Sequence, residues 1–285
     1  MKINKISPDK HRYLKILASI AEPPKTLNYS GTLPDVRRPT VAIIGTRKPT
    51  TYGKEVTEKI TTELAAKGIV IVSGLALGVD GLAHKAALDA GGMTLAILGS
   101  GLPRIYPSAH RQLAERILAG GGALISEYSE DEEARPHYFL ERNRLVSGLA
   151  DAIIITEAAA RSGTLNTAAH ALEQGKEIFV VPGNITSAMS IGCNYLIKQG
   201  ATPLIHSDDV LEVIAPDLLK PQTSLALGNT PAEQKVIEAL QNGLRDGDEI
   251  QASLAISATE LSTALTMLEI NGLIRNLGAN QWTLR

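Results

Sequence analysis

Three residues, Ser162-Gly163-Thr164, stand between an apolar run, AIIIT (152 to 156), and an alanine-rich helical pattern, GTLNTAAHALEQG (163 to 175). The first turn of a helix has unpaired N–H groups and a partial positive charge, so small hydroxyl residues there suit an anion, most often a phosphate. FLERNRLVSGLA (139 to 150) is a second candidate. In it Arg142, Asn143 and Arg144 occupy consecutive helical positions about 100° apart, while Leu140, Leu145 and Val146 supply an apolar side. Arginine suits bidentate contact with phosphate, and Phe139 offers a stacking face for a base. The competing use of Arg142 and Arg144 is ion pairing with Glu141, Glu157 or the acidic run EDEE (130 to 133). Arg47, in Gly45-Thr46-Arg47, and the hydroxyls at other strand ends tip the balance toward phosphate.

Other chemistries lack parts. A dinucleotide fingerprint needs G-x-G-x-x-G after a strand and an acidic residue ending the next strand. Gly45-Thr46-Arg47-Lys48-Pro49 has no later glycines, and the following strand ends in Ser73. No G-x-x-x-x-G-K-[ST], H-E-x-x-H or G-x-S-x-G occurs. Asp80 and His84 lie four apart on one helix and with His110 or His170 make only a loose metal set, so they read as polar packing groups. A single cysteine, Cys193, excludes an internal disulfide framework and a multi-cysteine zinc site, and reads as a small half-buried residue. No cofactor or metal is expected.

The elements that must position these residues alternate along the chain. Apolar strands TVAIIG (40 to 45), IVIVSG (69 to 74), MTLAILGS (93 to 100), ALIS (123 to 126), AIIIT and EIFVVPG (177 to 183) are separated by helical patterns at 53–68, 80–92, 108–122, 139–150 and 163–175. Continuous apolar strands alternating with helices predict an α/β fold, a Rossmann-like doubly wound parallel sheet covered on both faces. Such sheets bind ligands beyond the carboxyl ends of their strands. Gly45-Thr46-Arg47, Ser73-Gly74, Gly99-Ser100-Gly101, Ser126-Glu127 and Ser162-Gly163-Thr164 leave those ends, a polar edge suited to anions.

The 285 residues suffice for one large domain and one small one. Residues 1–34 read as a short extension with a helical patch at 11–20, 35–217 as the sheet domain, 218–229 as a linker and 230–285 as a small winged-helix-like domain. In the last, Thr230 caps a helix that begins with Pro231, and Gly-Ala-Asn turns between two short extended runs. Its SATELSTALTMLEING pattern carries no lysine or arginine, so protein contact suits it at least as well as base readout. The net charge of −2 gives no global sign of a nucleic-acid binder, which leaves any such activity to local charge. No apolar segment is long enough to span a bilayer and the start has no signal-peptide core, so a cytoplasmic location is expected.

Residues 40 to 205 resemble the DNA-processing protein A family, DprA/Smf. The resemblance rests on VAIIGTRKPTTYG, SGLALGVDGLAH, LAILGSGLPRIYP, SEY, the long segment FLERNRLVSGLADAIIITEAAARSGTLNTAAHALEQGKEIFVVPG and IGCNYLIKQGA, in the family's order. It implies a non-enzymatic, homodimeric protein that binds single-stranded DNA and helps load RecA recombinase in natural transformation and recombination. Carried over by motif, the implied phosphate pocket comprises Gly45, Thr46, Arg47, Ser73, Gly74, Arg142, Asn143, Arg144, Arg161, Ser162, Gly163, Thr164 and Thr167, with Phe139 stacking a base and Asn194 bracing the site. The chain is shorter at its front than many members, and has His110 where the motif after Tyr-Pro commonly continues to Asn. The rival is a nucleotide phosphoribohydrolase of the lysine-decarboxylase-like group. Aligned on that group's glycine loop, this chain has Thr167 at the place of the glutamate, and threonine is no general base near neutral pH; Glu157 is nearby in sequence.

Overall fold

Strands buried on both faces need apolar residues at successive positions, and the computed structural model, which describes residues 2–219 and 230–284, builds its sheet from such runs. In chain order the elements of the first unit are β1 (Asn4–Ile6), β2 (Leu27–Gly31), β3 (Thr40–Ile44), α1 (Thr51–Ala66), β4 (Val70–Ser73), α2 (Val79–Asp89), β5 (Thr94–Leu98), α3 (Arg111–Ala119) and β6 (Ala123–Ser126). They continue with α4 (Pro136–Leu149), β7 (Ala152–Ile155), α5 (Thr164–Glu173), β8 (Glu177–Val180), α6 (Ile191–Lys198), β9 (Thr202–Pro203) and α7 (Ser207–Ile214).

The sheet order is β1-β2-β6-β5-β4-β3-β7-β8-β9. From β6 to β9 all neighbours are parallel; β1 and β2 are antiparallel additions at one edge. The chain runs outward from β3 to β6, then returns to β7 on the other side of β3. The switch point therefore lies between β3 and β7, where an open α/β sheet forms its ligand crevice.

Alternating side chains feed two cores. Along β3, Val41 and Ile43 enter one core, and Ala42 and Ile44 the other; in β7, Ala152 and Ile154 oppose Ile153 and Ile155. Ile60 and Leu64 of α1, Val79 and Ala83 of α2, and Val210 and Leu211 of α7 cover the first core. Leu145 and Leu149 of α4, Ala168 and Ala171 of α5, and Cys193 of α6 cover the second.

The stretch expected as an extension is part of that second core. Its helical patch is a 3-10 helix over Leu14–Ser19, and Tyr13, Leu14 and Leu17 are fully buried. The Tyr13 hydroxyl lies 2.8 Å from Thr40 Oγ1, and burial pushes its pKa up to about 12. NKI and LNYSG are too short to show a strand period; both are half-buried, NKI as the edge strand and LNYSG between it and β6. Elements α6, α7 and β9 also extend the unit beyond the expected pattern.

The chain divides into units 1–219 and 220–285, and most of the expected linker lies outside the described residues. The second unit contains α8 (Pro231–Gln241), α9 (Gly247–Leu254), α10 (Ala258–Ile270), β10 (Ile274–Gly278) and β11 (Gln281–Leu284). Thr230 Oγ1 accepts a hydrogen bond from Glu233 N at 3.2 Å, with Pro231 opening α8. Gly278, Ala279 and Asn280 take positive φ, turning β10 back into β11 as the wing.

Candidate functional site

A cleft of about 440 Å3 opens at the switch point, walled by the loops after β3, β4 and β7, by α4 from Phe139 to Val146 and by the first turn of α5. It gathers Gly45, Thr46 and Arg47 from the first loop and Gly74 from the second. The third loop brings Arg161, Ser162 and Gly163, and the helices bring Phe139, Arg142, Asn143, Thr164 and Thr167. Ser73, Arg144 and Asn194 do not line it.

Arg142 forms the floor. It is 4% exposed, and Nη1 donates to the Ile97 carbonyl at 2.8 Å. Asp80, 7% exposed, is its counter-charge; Asp80 Oδ2 accepts from Gly74 N at 3.1 Å and Ala76 N at 3.4 Å. Burial raises the Asp80 pKa while Arg142 and the two amides oppose that rise; burial likewise lowers the pKa of Arg142. Gly74 must be glycine here, because a Cβ would occupy the place of the Arg142 guanidinium. The signal for Asp80 was an acidic residue in the first turn of a helix that follows a Gly-rich strand end, VSGLALGVDGLAH.

The accessible charge is elsewhere. Arg47 is exposed, has no ion pair among the described residues, and lies over the Phe139 ring at 5.8 Å. Gly99 makes room for that ring, whose Cδ1 would lie 2.9 Å from an added Cβ, and Tyr106 flanks it with centroids 5.3 Å apart. Arg161 is also exposed and unpaired among the described residues. Asn143 Nδ2 donates to Asn166 Oδ1 at 3.1 Å, tying α4 to α5. Ser162 Oγ donates to Thr164 Oγ1 at 2.9 Å and accepts from Thr164 N at 3.2 Å, which shapes the start of α5.

Three expected residues have other partners. Arg144 Nη2 donates to Glu127 Oε2 at 2.7 Å, an ion pair as in its competing use but with a carboxylate other than Glu141, Glu157 or the 130–133 run. One helical step separates it from Asn143 and turns it out of the cleft. The Ser73 hydroxyl is buried and donates to the Ile43 carbonyl at 2.7 Å, holding β4 to β3. Asn194 bridges the amide and carbonyl of Gly183 at 3.2 and 3.0 Å, bracing the loop after β8 instead of the cleft.

Glu157 is equally committed: its carboxylate accepts from Thr50 N at 2.8 Å and Thr50 Oγ1 at 2.7 Å, next to the start of α1. His84 Nδ1 lies 2.7 Å from Thr94 Oγ1, whose proton goes to the Ile71 carbonyl, so the imidazole donates from Nδ1 and its buried Nε2 has no partner among the described residues. Burial pushes its pKa down to about 3. Cys193 is fully buried, beyond the half-burial expected, and its thiol is pushed up to about 12. Among the described residues no three His, Cys, Asp or Glu side chains gather as metal ligands.

A Rossmann-like sheet with a switch-point cleft that presents exposed arginines beside an aromatic ring, and whose one lining carboxylate among the described residues faces the charge of Arg142, defines an α/β protein with a cleft suited to anions. The chain belongs to the DNA recombination-mediator protein A family: the family model matches residues 4–215, and a DprA winged helix domain model matches 220–280. It is 41% identical over 207 residues to Protein Smf of Escherichia coli, covering 73% of this chain and 55% of that protein. It is 38% identical to the putative DNA processing protein DprA of Mycobacterium tuberculosis, covering 85% and 63%. The chain thus spans little more than half to under two thirds of these relatives. Among solved structures, DNA processing protein A from Streptococcus pneumoniae superposes with a TM-score of 0.70 at 36% identity, covering 75% of each chain. The Helicobacter pylori protein, whose structure was described for its single-stranded DNA binding mode, gives 0.66 at 33%, covering 76% of this chain and 97% of that one.

Proposed function

We propose that this chain binds single-stranded DNA in the switch-point cleft, as a homodimer in the cytoplasm, and delivers it to RecA recombinase without chemical turnover. The observation that carries the reading is Arg47, unpaired among the described residues and laid over Phe139 at a cleft floored by Arg142. Cation and ring together suit a phosphate and its base, and stacking on Phe139 contributes about 1 to 3 kcal/mol per base. The relative described for binding single-stranded DNA and the family's designation as a recombination mediator support the same reading. Homodimer formation is supported by Ile185, 88% exposed, with Ile191 and Tyr195 of α6 exposed close by in sequence. No helix among the described residues is long and apolar enough to cross a membrane.

Glycosidic hydrolysis has no comparable support, because Glu157 is bonded to Thr50 and Thr167 is buried. The test is a titration of oligo-dT against salt. Arg47→Ala and Arg161→Ala are each expected to weaken binding and to reduce the slope of log K against log salt by about 0.7, one phosphate contact on a single strand. Unchanged slopes in both variants, tighter binding to duplex than to single strand, or free adenine released from AMP by repurified protein would overturn the proposal.

A further inference from the structure

Beside the cleft lies a second depression of about 620 Å3, over the starts of α1, α2 and α3, and Arg47 lines both. Its other cations are Lys48, Lys54, Lys85 and Arg116, and no carboxylate among the described residues lines it. Arg116 is paired with Asp89 at 2.6 Å. Lys48, Lys54 and Lys85 are exposed and have no ion pair among the described residues.

The shared wall is fixed in place. The Thr46 carbonyl accepts from Val79 N at 3.1 Å, and Gly78 takes φ +80° where an added Cβ would meet Arg47 Cα at 2.7 Å. The loop bearing Arg47 is thereby pressed against the start of α2, which sets its side chain between the two hollows. The segment leading from β6 into α4 differs in sign: it carries Glu130, Asp131, Glu132 and Glu133 against Arg135, with Glu127 paired to Arg144. A mononucleotide needs only the cleft, whereas a polymer must leave it, and like charge repels its phosphates from the acidic segment.

We propose that the second depression receives the phosphates flanking those in the cleft, so that one DNA strand passes from the cleft across Arg47 onto Lys48, Lys54 and Lys85. This rests on the cleft being a single-stranded DNA site. The ligand is a polyanion read through its backbone, with no base selectivity at the lysines.

The experiment measures anisotropy of the full chain with labelled oligo-dT of roughly 4 and roughly 16 nucleotides across a salt series. The triple variant Lys48→Ala, Lys54→Ala, Lys85→Ala is expected to bind the short oligonucleotide as the unsubstituted chain does. It should lose about tenfold or more on the long one, with the salt slope smaller by about 2, three phosphate contacts at about 0.7 each. A control triple variant of equal charge, Lys10→Ala, Lys15→Ala, Lys25→Ala, on the N-terminal segment, should change neither. The proposal falls if long-oligonucleotide affinity and slope survive in the first triple variant, if the control loses as much, or if the loss is the same at both lengths. Failure of the unsubstituted chain to bind either oligonucleotide would sink the cleft reading as well, which separates the two failures.

Discussion

Arg47 and Arg142 line the same cleft, but the Arg47 guanidinium is exposed, whereas Arg142 is buried and gives one N–H to the Ile97 carbonyl. Arg142 is bonded to the Ile97 carbonyl and balances Asp80, so its removal leaves a carboxylate buried without its counter-charge. Loss of binding in an Arg142 variant would therefore report folding as much as contact, which makes Arg47 and Arg161 the cleaner probes. His84 gives a pH prediction at the same scale. Its folded pKa of about 3 lies below the ordinary 6.5, so between these values the unfolded chain binds a proton that the folded chain does not. Its contribution is complete above pH 6.5 and is lost as pH falls toward 3, by up to about 5 kcal/mol. Urea midpoints measured from pH 7 to pH 4 should fall more steeply for the unsubstituted chain than for His84→Asn, which keeps a donor for Thr94. Parallel curves would contradict the assignment.

At the scale of elements, the N-terminal segment has a structural task. Leu17 is fully buried in the 3-10 helix, and its Cδ2 lies 3.0 Å from the place of a Cβ on Gly148, so the segment seals the outer face of α4 near its end. Leu17→Ala should destabilise the first unit by about 2 to 5 kcal/mol, read as a lowered urea midpoint with unchanged slope. A midpoint within about 0.5 kcal/mol of the unsubstituted chain would show the segment to be dispensable. Helix α4 is held between this seal and the sheet, which places Phe139, Arg142 and Asn143 at the cleft without freedom to drift.

The two units differ in charge across the whole molecule. Residues 220–285 contain seven acidic and five basic side chains, and α10 has no lysine or arginine. Met267 and Ile270 of α10 and Leu277 of the wing are exposed apolar residues, a surface closer to a protein contact than to a DNA reader. A chain ending at residue 219 retains the buried clusters of the first unit and the cleft. Its affinity for oligo-dT should stay within about threefold of the full chain, or about 0.7 kcal/mol. Abolished binding would place the DNA site on the second unit.

The α/β class, the six central strands and the helices between them were readable from the sequence alone, because burial of both sheet faces demands apolar residues in unbroken runs and helix patterns are local. The same reading found the Ser162-Gly163-Thr164 turn and the cluster around Arg142. It could not tell which arginine is free. That choice depends on Asp80, Ile97 and Glu127, partners distant in sequence that only the packed sheet brings within hydrogen-bond reach of α4. The two antiparallel strands were hidden for a related reason: NKI and LNYSG are too short to show a period, and LNYSG becomes a strand only where β6 offers its free edge, as NKI does where LNYSG offers its own.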